Sequence, residues 1–149
     1  MVTVADFTDL VPQITTQSVI DNLQSIIDEF EIPFLIDLLG DALAVDVEDN
    51  PEVYDELING QEFGKFKGVK QIVISYIFFE WRKSTYCEQT ASGTVTPKSE
   101  NADNQSPNIA LANIWNNMRK SWFTMIAYLE LNPIEIYDGE NPYDYMSWL

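Results

Sequence analysis

The reactive side chains on offer are carboxylates, hydroxyls and one thiol, with no imidazole anywhere in the chain. Histidine is the usual general base near neutral pH and the commonest metal ligand. Without it, neither a Ser-His-Asp nor a Cys-His nucleophile can be assembled within one chain. Cys87 stands shortly after Arg82 and Lys83, and nearby positive charge lowers a thiol pKa. Its position at the end of an apolar run suits a buried structural cysteine better. Carboxylates number 24, so close pairs arise from composition alone. Asp46-Val47-Glu48-Asp49-Asn50 has the oxygens of a calcium loop, but it lacks the central glycine and puts Leu57 where the bidentate Glu belongs. Asp28, Glu31 and Asp37, around Pro33, read as solvated. A glycosidase built on two of these acids would need a sugar cleft that short helices do not supply. Neither a Walker A loop nor G-x-G-x-x-G occurs. The expectation is a protein that is not an enzyme, with no catalytic residue, no metal and no cofactor.

Charge is distributed unevenly. The net value is −16, yet the first 64 residues hold fifteen acids and no base. Residues 65–120 hold all eight Lys and Arg with four acids, and the remainder holds five acids. If this segregation survives folding, copies can pack head to tail with acid meeting base, as heterologous interfaces require. If it does not, the acids are solvated helix faces. At this charge, specific nucleic-acid binding through a basic patch is not expected.

A chain of 149 residues with 46% apolar content can bury a core, which excludes a disordered class. One domain over 1–149 is expected. No run approaches a membrane span, and the segment Met1–Asp6 has no basic n-region of a signal peptide. A single cysteine precludes an internal disulfide and suits a reducing compartment.

The elements that must position these groups read as helices. Thr15, Thr16 and Ser18 are N-cap candidates before the stripe Ile20, Leu23, Ile27, Phe30. Pro33 breaks or kinks that helix, leaving Asp28, Glu29 and Glu31 at its end, against the macrodipole. The run Phe34, Leu35, Ile36, Leu38, Leu39 follows, apolar nearly all round, up to Gly40. Asn50-Pro51 reads as an N-cap and first-position proline for a short helix over 52–58, closed by Asn59-Gly60. After a loop between Gly64 and Gly68, Val69 to Tyr86 runs without a breaker. Its β-branched residues also suit a strand in part, but the length favours a central helix.

Residues 87–106 change character, being rich in Ser, Thr, Asn and Gly. A loop this long in a compact domain is often functional. Thr90, Ser92, Gly93, Thr94, Val95, Thr96 and Lys98 are expected in a projecting inter-subunit arm, either extended or an edge hairpin. Ser106-Pro107 then opens the last helix. Its core seam Leu111, Trp115, Met118, Trp122, Met125, Leu129 steps by alternating fours and threes, as in coiled coils. Asn132-Pro133 ends it. The tail, 132–149, is acidic and aromatic. Tyr137, Tyr143, Tyr145 and Trp148 belong to the types enriched in interfaces; they contact a partner or fold back on the chain's own core. The fold class is therefore mostly α, a small helical bundle with a long arm between its last two helices.

Three stretches, in this order and spacing, resemble a known pattern. The first runs from Ile26-Ile27 through Pro33-Phe34-Leu35-Ile36-Asp37-Leu38-Leu39-Gly40-Asp41-Ala42-Leu43. The second is Phe66-Lys67-Gly68-Val69 leading into Tyr76-Ile77-Phe78-Phe79. The third is Thr90-Ala91-Ser92-Gly93-Thr94-Val95 with Lys98-Ser99-Glu100-Asn101, then a last helix ending Ala127-Tyr128-Leu129. Together they resemble head–tail connector (adaptor) proteins of tailed bacteriophages, including crAss-like and related Bacteroidetes phages. The resemblance implies a helical bundle repeated in a ring, usually twelvefold, between portal and tail. It implies a homo-oligomer whose partners are the portal protein and other connector and tail proteins, with DNA passing through the ring. The place would be the head–tail junction of the virion, after assembly in the host cytoplasm. This chain departs from the pattern in its acidity and aromatic tail. An acid-lined channel would repel passing DNA and keep it from sticking. The competing reading is an acidic DNA mimic that inhibits a basic host protein, motivated by the carboxylate run over 37–56.

Overall fold

A computed structural model describes residues 1–11, 14–91 and 107–143. Among these the protein is mostly helical, with no strand. A 3-10 turn, Val4–Phe7, precedes α1 (Gln17–Leu39), α2 (Asp41–Asp49), α3 (Asp55–Asn59), α4 (Val69–Ala91) and α5 (Pro107–Leu131). Helices α4 and α5 share the broadest contact; α1 packs on α4, and α2 packs on α1. No helix among the described residues is long and apolar enough to cross a membrane.

Pro33 does not end the first helix, which runs through it to Leu39. A proline inside a helix removes one hydrogen bond and crowds the carbonyl four residues back, here that of Glu29. Both Pro33 and Glu29 face solvent, so water can satisfy the freed carbonyl. The opposite face buries Leu23, Ile26, Ile27, Phe34, Leu35, Leu38 and Leu39, and that burial outweighs one lost bond. Because the helix continues, Asp28, Glu29 and Glu31 lie mid-helix rather than at a C-terminus.

Glu31 is a correction, since it is buried, not solvated. It accepts the Val2 backbone N–H at 2.6 Å and pairs with the N-terminal ammonium at 3.1 Å. Lys70 on α4 pairs with Asp6 at 2.8 Å, while the Thr3 backbone N–H and hydroxyl both donate to Asp6. The N-terminal segment is thus fastened to two long helices, with Phe7 fully buried.

Residues 41–49 form a helix, so the Asp46–Asn50 run is not a loop able to wrap a calcium ion. Asn50 donates its side-chain amide back to Asp46 at 2.8 Å instead of capping the next helix. That helix, α3, therefore starts only at Asp55, after a turn over 51–54. Helix α4 extends to Ala91. Residues 87–91, Thr90 with them, continue the helix rather than opening an extended arm, as no breaker precedes Gly93. The remaining expected arm residues, Ser92, Gly93, Thr94, Val95, Thr96 and Lys98, lie outside the described residues.

The six seam residues of α5 are all buried, Met118, Trp122 and Met125 completely. They meet a single core cluster that draws on every helix. At its centre Phe34 stacks on Tyr76 with ring centroids 3.8 Å apart and meets Trp122 edge-on at 5.7 Å. Phe79 and Trp115 extend the aromatic contact between α4 and α5 at 5.0 Å.

After α5 the chain folds back over its own core through residue 143. The Asp138 and Glu140 N–H groups donate to the Leu39 and Asp37 carbonyls at 3.2 and 2.7 Å. The last carbonyls of a helix have no partner within it, and here the returning tail supplies one. Gly40, at φ +82°, ends α1 so closely that a Cβ would sit 2.8 Å from Asp138 backbone. A Cβ at Gly139 would overlap the Leu38 carbonyl.

Two substitutions separate these supports. Phe34→Ala should lower unfolding free energy by roughly 3–5 kcal/mol, in line with aromatic truncation in cores, as read by urea denaturation. Gly139→Ala should release the tail, exposing the amides of Asp138 and Glu140 to hydrogen exchange while protection in α4 stays intact.

Candidate interaction site

The sequence-predicted positions do not converge on one place. The seam residues are interior and hold the bundle together. Tyr137 is half-buried against the core, whereas Tyr143 is 63% exposed and leans on Phe123 with ring centroids 4.8 Å apart. Tyr145 and Trp148 lie outside the described residues. Of the four tail residues expected at a contact, then, Tyr143 is the one that presents a large free surface among those described.

A different surface stands out where α3, the loop after it and the end of α5 meet. A groove of about 630 Å³ runs between Glu52–Leu57 on one side and Tyr128 and Leu131–Ile134 on the other. A second groove of about 550 Å³ continues it along Gly60–Gly64, sharing Asp55 and Glu56. Three apolar side chains stand out of these walls into solvent. Val53 is 69% exposed, Leu131 83% and Phe63 95%. Carboxylates of Glu52, Asp55, Glu56 and Glu62 rim them, and among the described residues no Lys or Arg lines either groove. Lys65 and Lys67 belong to the same loop but lie beyond that lining.

Local structure explains why these groups sit here. Phe66 buries its ring against Tyr128 at 4.9 Å, which pins the loop and leaves Phe63 on its outer side. Leu131 lies two residues past Leu129, turning it off the buried seam. Tyr128 donates its hydroxyl to Glu56 at 3.4 Å across the groove floor. Tyr54 donates its hydroxyl to Asp46, which ties α2 to the same wall.

Sequence reasoning missed this surface. The available signal was local: Phe63 is a lone apolar residue between Glu62 and Gly64, Val53 follows Glu52 in an acidic stretch, and Leu131 falls outside the alternating seam.

Among the described residues no group of three or more His, Cys, Asp or Glu is placed to hold a metal ion. The bases that accompany aromatics lie elsewhere, with Arg82 over Phe78 and Trp81, and Arg119 over Phe123. Comparison with family models, with curated proteins and with solved structures returned no match to this chain.

Among the described residues, four tyrosines have hydroxyls held above their ordinary range. For Tyr54 the chief cause is its hydrogen bond to Asp46; for Tyr128 it is burial, followed by the Glu56 charge. Burial leads for Tyr76 and Tyr137, reinforced by Glu80 and Asp37 for the former and Asp138 for the latter. A raised folded-state value means that the unfolded chain releases the proton first. The associated stability is present in full below about pH 10, the ordinary tyrosine value, and is lost as pH rises toward the folded-state values. The denaturation midpoint should therefore fall as pH climbs past about 10. Phenolate absorbance of the folded protein should lag behind that of the unfolded chain; coincident titration curves would contradict these environments.

Proposed function

We propose that this chain is a non-catalytic structural subunit of a virion, part of an oligomeric ring between portal and tail through which DNA passes. The observation that carries the reading is the segregation of charge by element. Of the fifteen acids in the first 64 residues, all but Glu62 belong to the 3-10 turn, α1–α3 or the connections between them, while the described bases stand in the loop after α3, which also holds Glu62, and on α4 and α5. A closed ring needs two unlike faces on each subunit that complement one another. The phage setting, the twelvefold symmetry, the portal and tail partners and the head–tail junction come from the resemblance of the three motif stretches to connector proteins. The missing histidine supports the non-enzymatic part.

Mass photometry of the purified protein, alone and mixed with its portal, tests this. The expected result is a ring-sized oligomer, or a monomer that assembles only on the portal. A monomer indifferent to portal and tail components under both conditions would sink it.

A second reading has one observation in its favour. Asp41, Glu48, Asp49, Glu52, Asp55 and Glu56 are all exposed along α2, the following turn and α3, a carboxylate row of the kind a DNA mimic presents. It calls for binding to a basic host protein that is displaced by DNA and by salt, and for absence of the chain from purified virions.

A further inference from the structure

The paired grooves between α3 and the end of α5 combine exposed apolar side chains with one sign of charge. Exposed apolar residues scattered singly on a surface are ordinary. Here Val53 and Leu131 line one groove and Phe63 lines the other, which continues from it through Asp55 and Glu56. A contiguous apolar patch with a polar rim marks an interaction site. Among the described residues the charged groups of the rim are all acidic, so an occupant that gains from both features must present apolar side chains between positive ones. Duplex DNA is repelled by the carboxylates. A neutral apolar segment would fill the grooves but leave the rim unmatched, and complementary charge supplies specificity and speed of association.

We infer that the Val53–Leu131–Phe63 surface docks a basic amphipathic segment of another protein, with its apolar side chains on these three residues and its Lys or Arg residues against Glu52, Asp55, Glu56 and Glu62. The groove walls are held from behind. Tyr128 anchors the floor to Glu56 and to Phe66, and Leu57 and Ile58 root α3 in the core. The surface is thus formed in the free subunit, and little ordering opposes docking. This inference does not depend on ring assembly, since a chain that never assembles still carries the grooves.

The probe is a fluorescein-labelled synthetic peptide with leucines at helical spacing among lysines, titrated against the full chain by fluorescence anisotropy. Two control peptides are used, one with serine for leucine and one with glutamine for lysine. Leu131→Ser and Val53→Ser remove the apolar contact at exposed positions, with folding checked by circular dichroism. Ile32→Ser and Ile109→Ser make the same change at exposed sites on α1 and on the first turns of α5. The expected result is saturable binding to the wild type and to the two distant variants. Leu131→Ser should weaken it about tenfold, as loss of one buried leucine contact does, with a smaller loss for Val53→Ser. Both control peptides should bind at least about tenfold more weakly, and added salt should weaken the leucine–lysine peptide. The inference is overturned if that peptide fails to bind the wild type or binds both groove variants unchanged. It is overturned equally if the serine peptide binds as tightly, which would mean diffuse attraction to an acidic surface. Mass photometry of the same variants separates the two questions: peptide loss with assembly unchanged bears on the groove, and assembly loss with peptide binding unchanged bears on the ring.

Discussion

The contact on which the other packing depends is the placement of Phe34 between Tyr76 and Trp122. It is the point where α1, α4 and α5 meet through their side chains. Aromatic pairs of this kind add to the gain from burial because the electron-rich face of one ring meets the edge or offset face of the next. Phe34 reaches that place only because α1 continues through Pro33. A chain that turned away at the proline would carry Phe34, Leu35, Leu38 and Leu39 out of the core together. The proline is tolerated because its ring and the carbonyl it frees are both on the wet side.

Helix α1 is stabilised at two places by segments distant in sequence. At its C-terminus, where a helix runs out of donors of its own, the returning tail donates Asp138 and Glu140 N–H groups to the Leu39 and Asp37 carbonyls. Midway along it, the buried Glu31 carboxylate gathers the Val2 N–H and the N-terminal ammonium. A buried carboxylate is costly unless paired and hydrogen-bonded, and here it is both. These two supports make the first and last described segments part of one packed unit with the long helices. They also account for the absence of bases near the end of α1: the tail's backbone does there what a C-terminal lysine does in many helices.

The candidate interaction surface follows from how the loop after α3 is anchored. Phe66 turns inward onto Tyr128, and Phe63, three residues earlier in a loop with no helical period, is left outward. Leu131 is set outward by the helical period itself. The same packing that completes the core therefore leaves an apolar trio at its margin, beside the densest acids. The acids that seemed the chain's most general property have a specific local setting there.

Sequence alone determined the helical class, the existence of the last helix and its inward stripe. The four-three step from Leu111 to Leu129 allows only one face to be apolar, and that face is buried. Sequence also determined the polarity of charge and the absence of imidazole chemistry, since neither depends on folding. What it could not determine were matters decided by contacts across long separations. Pro33 is a breaker by local rules and was overridden by burial on the opposite face. Glu31 looked like one more surface acid, and only the approach of Val2, 29 residues away, made it a buried partner. Asn50 resembled a cap, yet its amide was nearer Asp46 once α2 had formed. The groove was invisible for the same reason: Val53, Phe63 and Leu131 have no common period, and only the meeting of α3 with the end of α5 brings them to one surface.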